Sequence, residues 1–122
     1  MQYNIETENE CLRVTVTGPW SMREFRPMVE AIRDGCQRSE LRRALVDARS
    51  VTDEVSPIDR FEAGKQVASV LLGIRIVLVF DPCRITRLAE NTAVNRGADM
   101  AIFGEPAEAL AWLHGDARST GP

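Results

Sequence analysis

Apolar and polar side chains alternate with a period of two in YNIETE and again in CLRVTVT, and the ENE between them is turn-forming. This alternation predicts a β-hairpin with one buried face carrying Leu12, Val14 and Val16. GPW ends it. Ser21 with Glu24 three residues later fits a capping box, and Phe25, Met28, Val29 and Ile32 then recur at helical spacing. Pro27 lies past the first turn of that helix, which predicts a kink or a late start, and Gly35 reads as its stop.

Next comes ALVDA (44–48), a short apolar run ending at Asp47. A second helix is expected over 57–72, with Phe61, Ala68, Leu71 and Leu72 facing inward and Gly73 just past its end. IRIVLVF (74–80) is nearly continuous and β-branched, as a central strand of a parallel sheet should be. DPC is expected to open a third helix with Ile85, Leu88, Ala89, Thr92 and Ala93 on one side, closed by Gly97. DMAIF (99–103) reads as a further strand, and Pro106 begins a last helix with Leu110 and Leu113 inward. The order ββαβαβαβα predicts an α/β fold, with a mixed, mainly parallel sheet of five strands, four helices and right-handed crossovers. One domain is expected over 1–114. GDARSTGP, 115–122, has no apolar periodicity and is expected to be a disordered tail.

Composition narrows the partners. The net charge is −3 and the arginines are scattered, so no basic stripe is present to displace counterions, and nucleic acid is not an expected partner. No apolar run approaches the roughly 18 residues of a membrane span, and the polar start is no secretory signal. Cys11, Cys36 and Cys83 are odd in number and widely spaced, without C-x-x-C, and a single histidine leaves too few ligands for a Cys/His zinc site. Reduced thiols in a cytoplasmic protein, with no metal and no cofactor, are the expectation.

Enzyme signatures fail one by one. The chain holds neither G-x-x-x-x-G-K-[ST] nor G-x-G-x-x-G. A phosphoacceptor receiver needs a lysine after its last strand, and the one lysine, Lys65, sits inside the second helix. Cys83 in FDPCRITR is the strongest reactive candidate. Asp81 as N-cap and Pro82 at N1 place it in a first helical turn, where the dipole and Arg84 would lower a thiol pKa. The position six residues on, where cysteine phosphatases keep an arginine, is Ala89, so the plainer account is a small residue in a capped helix start. His114 at the end of the last helix is tied to no nucleophile, and Trp112 reads as a packing residue. No catalytic residue is assigned.

The order ββαβαβαβα, the segments ALVDARSVT and AENTAVNRGADMAIF, and the ending EPAEALAWL resemble the SpoIIAA-like branch of STAS domains, small bacterial proteins related to anti-sigma-factor antagonists. The likeness runs over residues 3–114. It implies a regulatory, non-enzymatic module whose partner is a protein, an anti-sigma factor or another regulator. It also implies a serine at the start of the second helix, in a D-S-[ST]-G-like motif, that a kinase phosphorylates. The matching stretch here is DEVSP, without the paired serine and glycine, and with Asp53 and Glu54 already negative, so the phosphoswitch motif is degenerate. The residues of this interaction or phospho-loop are Asp47, Ser50, Thr52, Asp53 and Ser56, although Ser56, Pro57 and Asp59 also read simply as N-cap, N1 and N3 of a helix.

A second set, Trp20, Asp81, Cys83 and Arg84, is expected to line a crevice at the carboxyl ends of the strands, where open α/β sheets bind ligands. The alternative function is a small-molecule or lipid-binding module, since the fold is related to CRAL-TRIO-type lipid carriers. Ala63, Gly64 and Ala68 either leave room for an apolar ligand or allow close packing. A homodimer is also compatible with the class.

Overall fold

The computed structural model describes residues 1–115. Its sheet runs β1 (Gln2–Glu8), β2 (Cys11–Gly18), β3 (Arg43–Val51), β4 (Arg75–Val79) and β5 (Asp99–Phe103), ordered in space as in sequence. β1 and β2 are antiparallel, and every later pair is parallel. Four helices join or follow the strands: α1 (Met22–Ser39), α2 (Pro57–Val70), α3 (Leu88–Asn95) and α4 (Pro106–His114). The α/β architecture predicted from alternation and periodicity is therefore the observed one. The expected tail, apart from Gly115, lies outside the described residues. Among the described residues no helix is long and apolar enough to cross a membrane.

Strand order that never reverses has a direct consequence. Crossovers of one hand in a sequential parallel sheet all lie on one face. Helices α1, α2 and α3 accordingly share one core with Val14, Val46, Ile76 and Met100, while α4 alone covers the other face with Ala109 and Leu113 on Leu45, Val77 and Ala101. Arg75 ties α4 down, donating to the Trp112 carbonyl at 2.8 and 3.2 Å, stacking at 3.7 Å on the Trp112 ring and pairing with Asp99. On that face the β1–β2 half of the sheet is polar, with Thr15 and Thr17 exposed.

Several local expectations change. α1 runs continuously through Pro27, whose ring is tolerated within an 18-residue helix. Ser21 Oγ accepts from the Glu24 N–H at 3.3 Å, but the Glu24 carboxylate turns to the N-terminal ammonium at 3.0 Å instead of closing the box. Gly35 does not stop the helix. It lets α1 lie against β2, since a Cβ there would stand 2.9 Å from a Leu12 methyl, and the helix ends at Glu40 in left-handed conformation.

In α2 the buried stripe is Ala63, Gly64, Val67 and Ala68, continued by Leu71. Phe61 and Leu72, expected inside, are 38 % and 62 % exposed. Phe61 stands between the cations of Lys65 and Arg96, each 5.3 Å from its ring, which stabilises it outside the core. Segment 81–87 departs furthest from expectation. DPC opens only a 3-10 turn, Pro82–Arg84, after which Ile85 is extended and Arg87 left-handed. Bonds to β5 hold it so: Arg87 donates to the Ile102 carbonyl at 2.8 Å, and Glu90 accepts the Ile102 N–H at 3.1 Å.

Candidate functional site

Strand β3 extends four residues past Asp47, so Asp47 and Ser50 belong to the sheet and not to a loop. Opposite β2 the register jumps, pairing Thr15 with Asp47 but Thr17 with Ser50, which leaves one extra residue on β3. This bulge breaks the period of two. Ala48 is buried, Arg49 and Ser50 are both exposed, and Val51 is buried again. Asp47 stabilises the bulge by accepting the Arg49 N–H at 3.2 Å and the Arg49 guanidinium at 2.8 and 2.9 Å. Those bonds hold its carboxyl below the usual aspartate range, against the opposing effect of partial burial.

From the bulge the chain enters the segment 52–56, with Thr52, Asp53, Glu54 and Ser56 exposed and Val55 buried. Its backbone is tied at successive points. The Thr52 N–H donates to Gly18 O at 3.0 Å. Arg84 donates to Val51 O at 2.6 Å and to Asp53 O at 3.0 Å, with its guanidinium 4.7 Å from the Phe80 ring centroid. Arg60 donates to Val55 O at 2.8 Å and to Arg84 O at 2.9 Å. Ser56 then caps α2, its Oγ accepting the Asp59 N–H at 3.1 Å. Asp59 also receives the Trp20 indole N–H at 2.8 Å, which joins the approach to α1 to the first turn of α2. Next to this cap Ile58 points outward, 74 % exposed.

The expected site residues thus fall into separate places. Thr52, Asp53 and Ser56 share one exposed edge. Asp47 and Ser50 precede it on the bulged strand, with Asp47 engaged by Arg49. Of the expected crevice, Asp81 and Arg84 are joined at 3.5 Å, and Asp81 also accepts the Cys83 N–H at 3.0 Å. Trp20 turns to Asp59. A crevice of that kind forms where strand order reverses, and here it does not. Cys83 is exposed on the short 3-10 turn, not in the first turn of a long helix, so the dipole invoked for it is missing. Cys11 and Cys36 are buried, and burial pushes both thiols up. Among the described residues no cluster of three His, Cys, Asp or Glu side chains is placed to hold a metal.

Arg60 is not singled out by the sequence, and Asp59 is read there as N3 of the helix, not as a partner of Trp20. Asp59 could be read only as a first-turn carboxylate. Arg60 offers no signal at all, because its partners are carbonyls five and twenty-four residues away. Also invisible in the sequence is a cavity of about 100 Å³ between the sheet and helices α1–α3, walled by Val46, Ala48, Met28, Ala63, Val67 and Ala89 among other apolar residues.

This geometry defines a class. The five-stranded mixed sheet with three helices on one face and one on the other is the STAS/SpoIIAA-type fold. A glutamate-for-serine variant of RsbS from Moorella thermoacetica matches it with a TM-score of 0.56 and 16% sequence identity, over 97% of this chain and 99% of that one. A second solved structure, the anti-sigma-factor antagonist SpoIIAA in its unphosphorylated form, aligns with a TM-score of 0.45 and 11% identity, over 99% of this chain and 100% of that chain. No family model and no curated protein matches the sequence. At such identity the fold is what is shared.

Proposed function

We propose that the chain is a single-domain, non-enzymatic regulatory module that binds a protein partner through the 52–56 segment and the first turn of α2. One observation carries this reading: an exposed edge, Thr52 to Ile58, is held in one conformation by arginines bonded to its backbone, leaving its side chains free to be read. A docking edge that is already ordered loses little entropy on binding. The complementary partner presents an apolar socket for Ile58 and basic side chains for Asp53 and Glu54. The negative charge that relatives of this type would gain by phosphorylation is supplied here by these fixed carboxylates, and Ser56 serves as helix cap.

The test is affinity capture from the native cell with wild-type protein and Ile58→Asp. Wild type recovers a stoichiometric partner; the variant loses it at unchanged thermal stability, because Ile58 touches solvent and not the core. Equal recovery by both, or none by wild type, rejects the surface. Phosphate found at Ser56 by mass spectrometry of the same protein rejects the fixed-charge reading alone. A second reading, an apolar-ligand module, draws its support from the cavity.

A further inference from the structure

We propose that the cavity beneath α1 and α2 is a binding site for a compact, neutral, apolar molecule or chain end. Its walls come from all sides of the larger core: Val46, Ala48 and Leu78 below, Met28 and Ile32 from α1, Ala63 and Val67 from α2. Three alanines explain the space, for Ala48, Ala63 and Ala89 converge from β3, α2 and α3 where larger side chains would meet. The bulge in β3 makes Val51 a wall residue by turning it inward out of phase.

The ligand class follows from what the walls cannot do. Arg60 is the one wall residue with a charged side chain, and its guanidinium is engaged by the carbonyls of Val55 and Arg84; the ammonium of Met1, also a wall residue, is paired with Glu24 at 3.0 Å. The single buried side-chain polar atom without a partner among the described residues is Gln66 Oε1, and Gln66 is not a wall residue. A water needs two to four polar partners, so water is not stabilised there, and a charged or hydrogen-bonding ligand would be left unpaired. An empty apolar void is itself destabilising in proportion to its volume. Dry cavities of about 150 Å³ accept benzene, and about 100 Å³ with part of the wall open suits a single ring or the end of an alkyl chain. The partly exposed wall residues Trp20 and Phe25, with ring centroids 5.4 Å apart, stand at the α1 end. Trp20 is bonded to Asp59, so this part of the wall adjoins the first turn of α2. The inference concerns the core and does not depend on any partner.

The experiment is thermal unfolding of the full chain with benzene or 1-octanol, in wild type, Ala63→Leu and Ala48→Leu. At a tenfold excess over Kd, binding raises the midpoint by about 5 °C. In the filled variants the ligand-free midpoint is kept or raised and the ligand-induced shift disappears. A response to benzene alone identifies a ring site, and a response to octanol identifies a chain-end site. No shift with either probe overturns the proposal, as does an equal shift in the filled variants. Should both variants fail to fold, nuclear Overhauser contacts from benzene protons to the Met28 and Val67 methyls of wild type decide: their presence sustains the site, their absence removes it.

Discussion

Replacing Arg84 by methionine keeps an unbranched apolar stem and removes the guanidinium that holds the 51–56 segment. Two hydrogen bonds go with it, to Val51 O at 2.6 Å and Asp53 O at 3.0 Å, together with the stacking on Phe80. The Arg84 side chain is only 18 % exposed, so solvent replaces these bonds poorly. Hydrogen bonds from a charged donor contribute about 1.5–3 kcal/mol each and the cation–π contact about 0.5–1. The ion pair with the more exposed Asp81 adds little. Methionine regains part of the packing on Phe80, which sets the net loss at about 2–4 kcal/mol. Chemical denaturation measures that loss, and hydrogen exchange locates it, with faster exchange at Thr52 and Val55 than in β4. Arg84→Lys keeps the charge without the two-pronged geometry and falls between wild type and methionine. A loss under 1 kcal/mol with unchanged exchange at 52–55 would refute the view that arginine bonds order this edge.

Two further outcomes are expected. Gly64→Ala improves helix propensity by about 1 kcal/mol, yet its Cβ would stand 2.5 Å from the Ala89 carbonyl oxygen and 2.8 Å from Thr92 Cβ. Backbone cannot yield as a side chain does, so a net destabilisation of about 2 kcal/mol follows, a midpoint lower by about 8 °C in thermal unfolding; an unchanged midpoint would show that α3 shifts freely. Asp47→Asn tests the bulge through pH. The Asp47 pKa is lowered in the folded state by Arg49, so its stabilisation is present above the unfolded-state pKa and is lost as pH falls through the folded one. Wild type then loses about 0.5–1 kcal/mol more than the variant on acidification below about pH 4, and parallel stability curves for the two proteins would count against the pair.

Much of the architecture was legible in the chain itself. Alternation in 3–8 and 11–17, helical spacing from Phe25 to Ile32 and the β-branched run 74–80 each determine an element locally, because burying one face needs only the correct period. Ser56 as cap of α2 followed equally from its neighbours. Misplaced expectations were those in which a distant partner overrides local preference. Gly35 continues a helix because Leu12 demands close approach, Phe61 faces outward between two cations, and the helix predicted from DPC is stretched open by bonds to β5.

The candidate site divides along the same line. By itself the sequence placed Thr52, Asp53 and Ser56 between a strand and a capped helix, but it put Asp47 and Ser50 in the same loop and gave no sign of Ile58. Only the tertiary structure decided the remainder. Of the expected crevice residues Trp20 lines the cavity while Asp81, Cys83 and Arg84 do not, and a one-residue bulge places Asp47 and Ser50 on the sheet while turning Val51 inward. Arginines at 60 and 84 fasten the edge through backbone carbonyls, which carry no side-chain identity for a sequence to display. The cavity likewise exists only because Ala48, Ala63 and Ala89, far apart in the chain, meet across one sheet face.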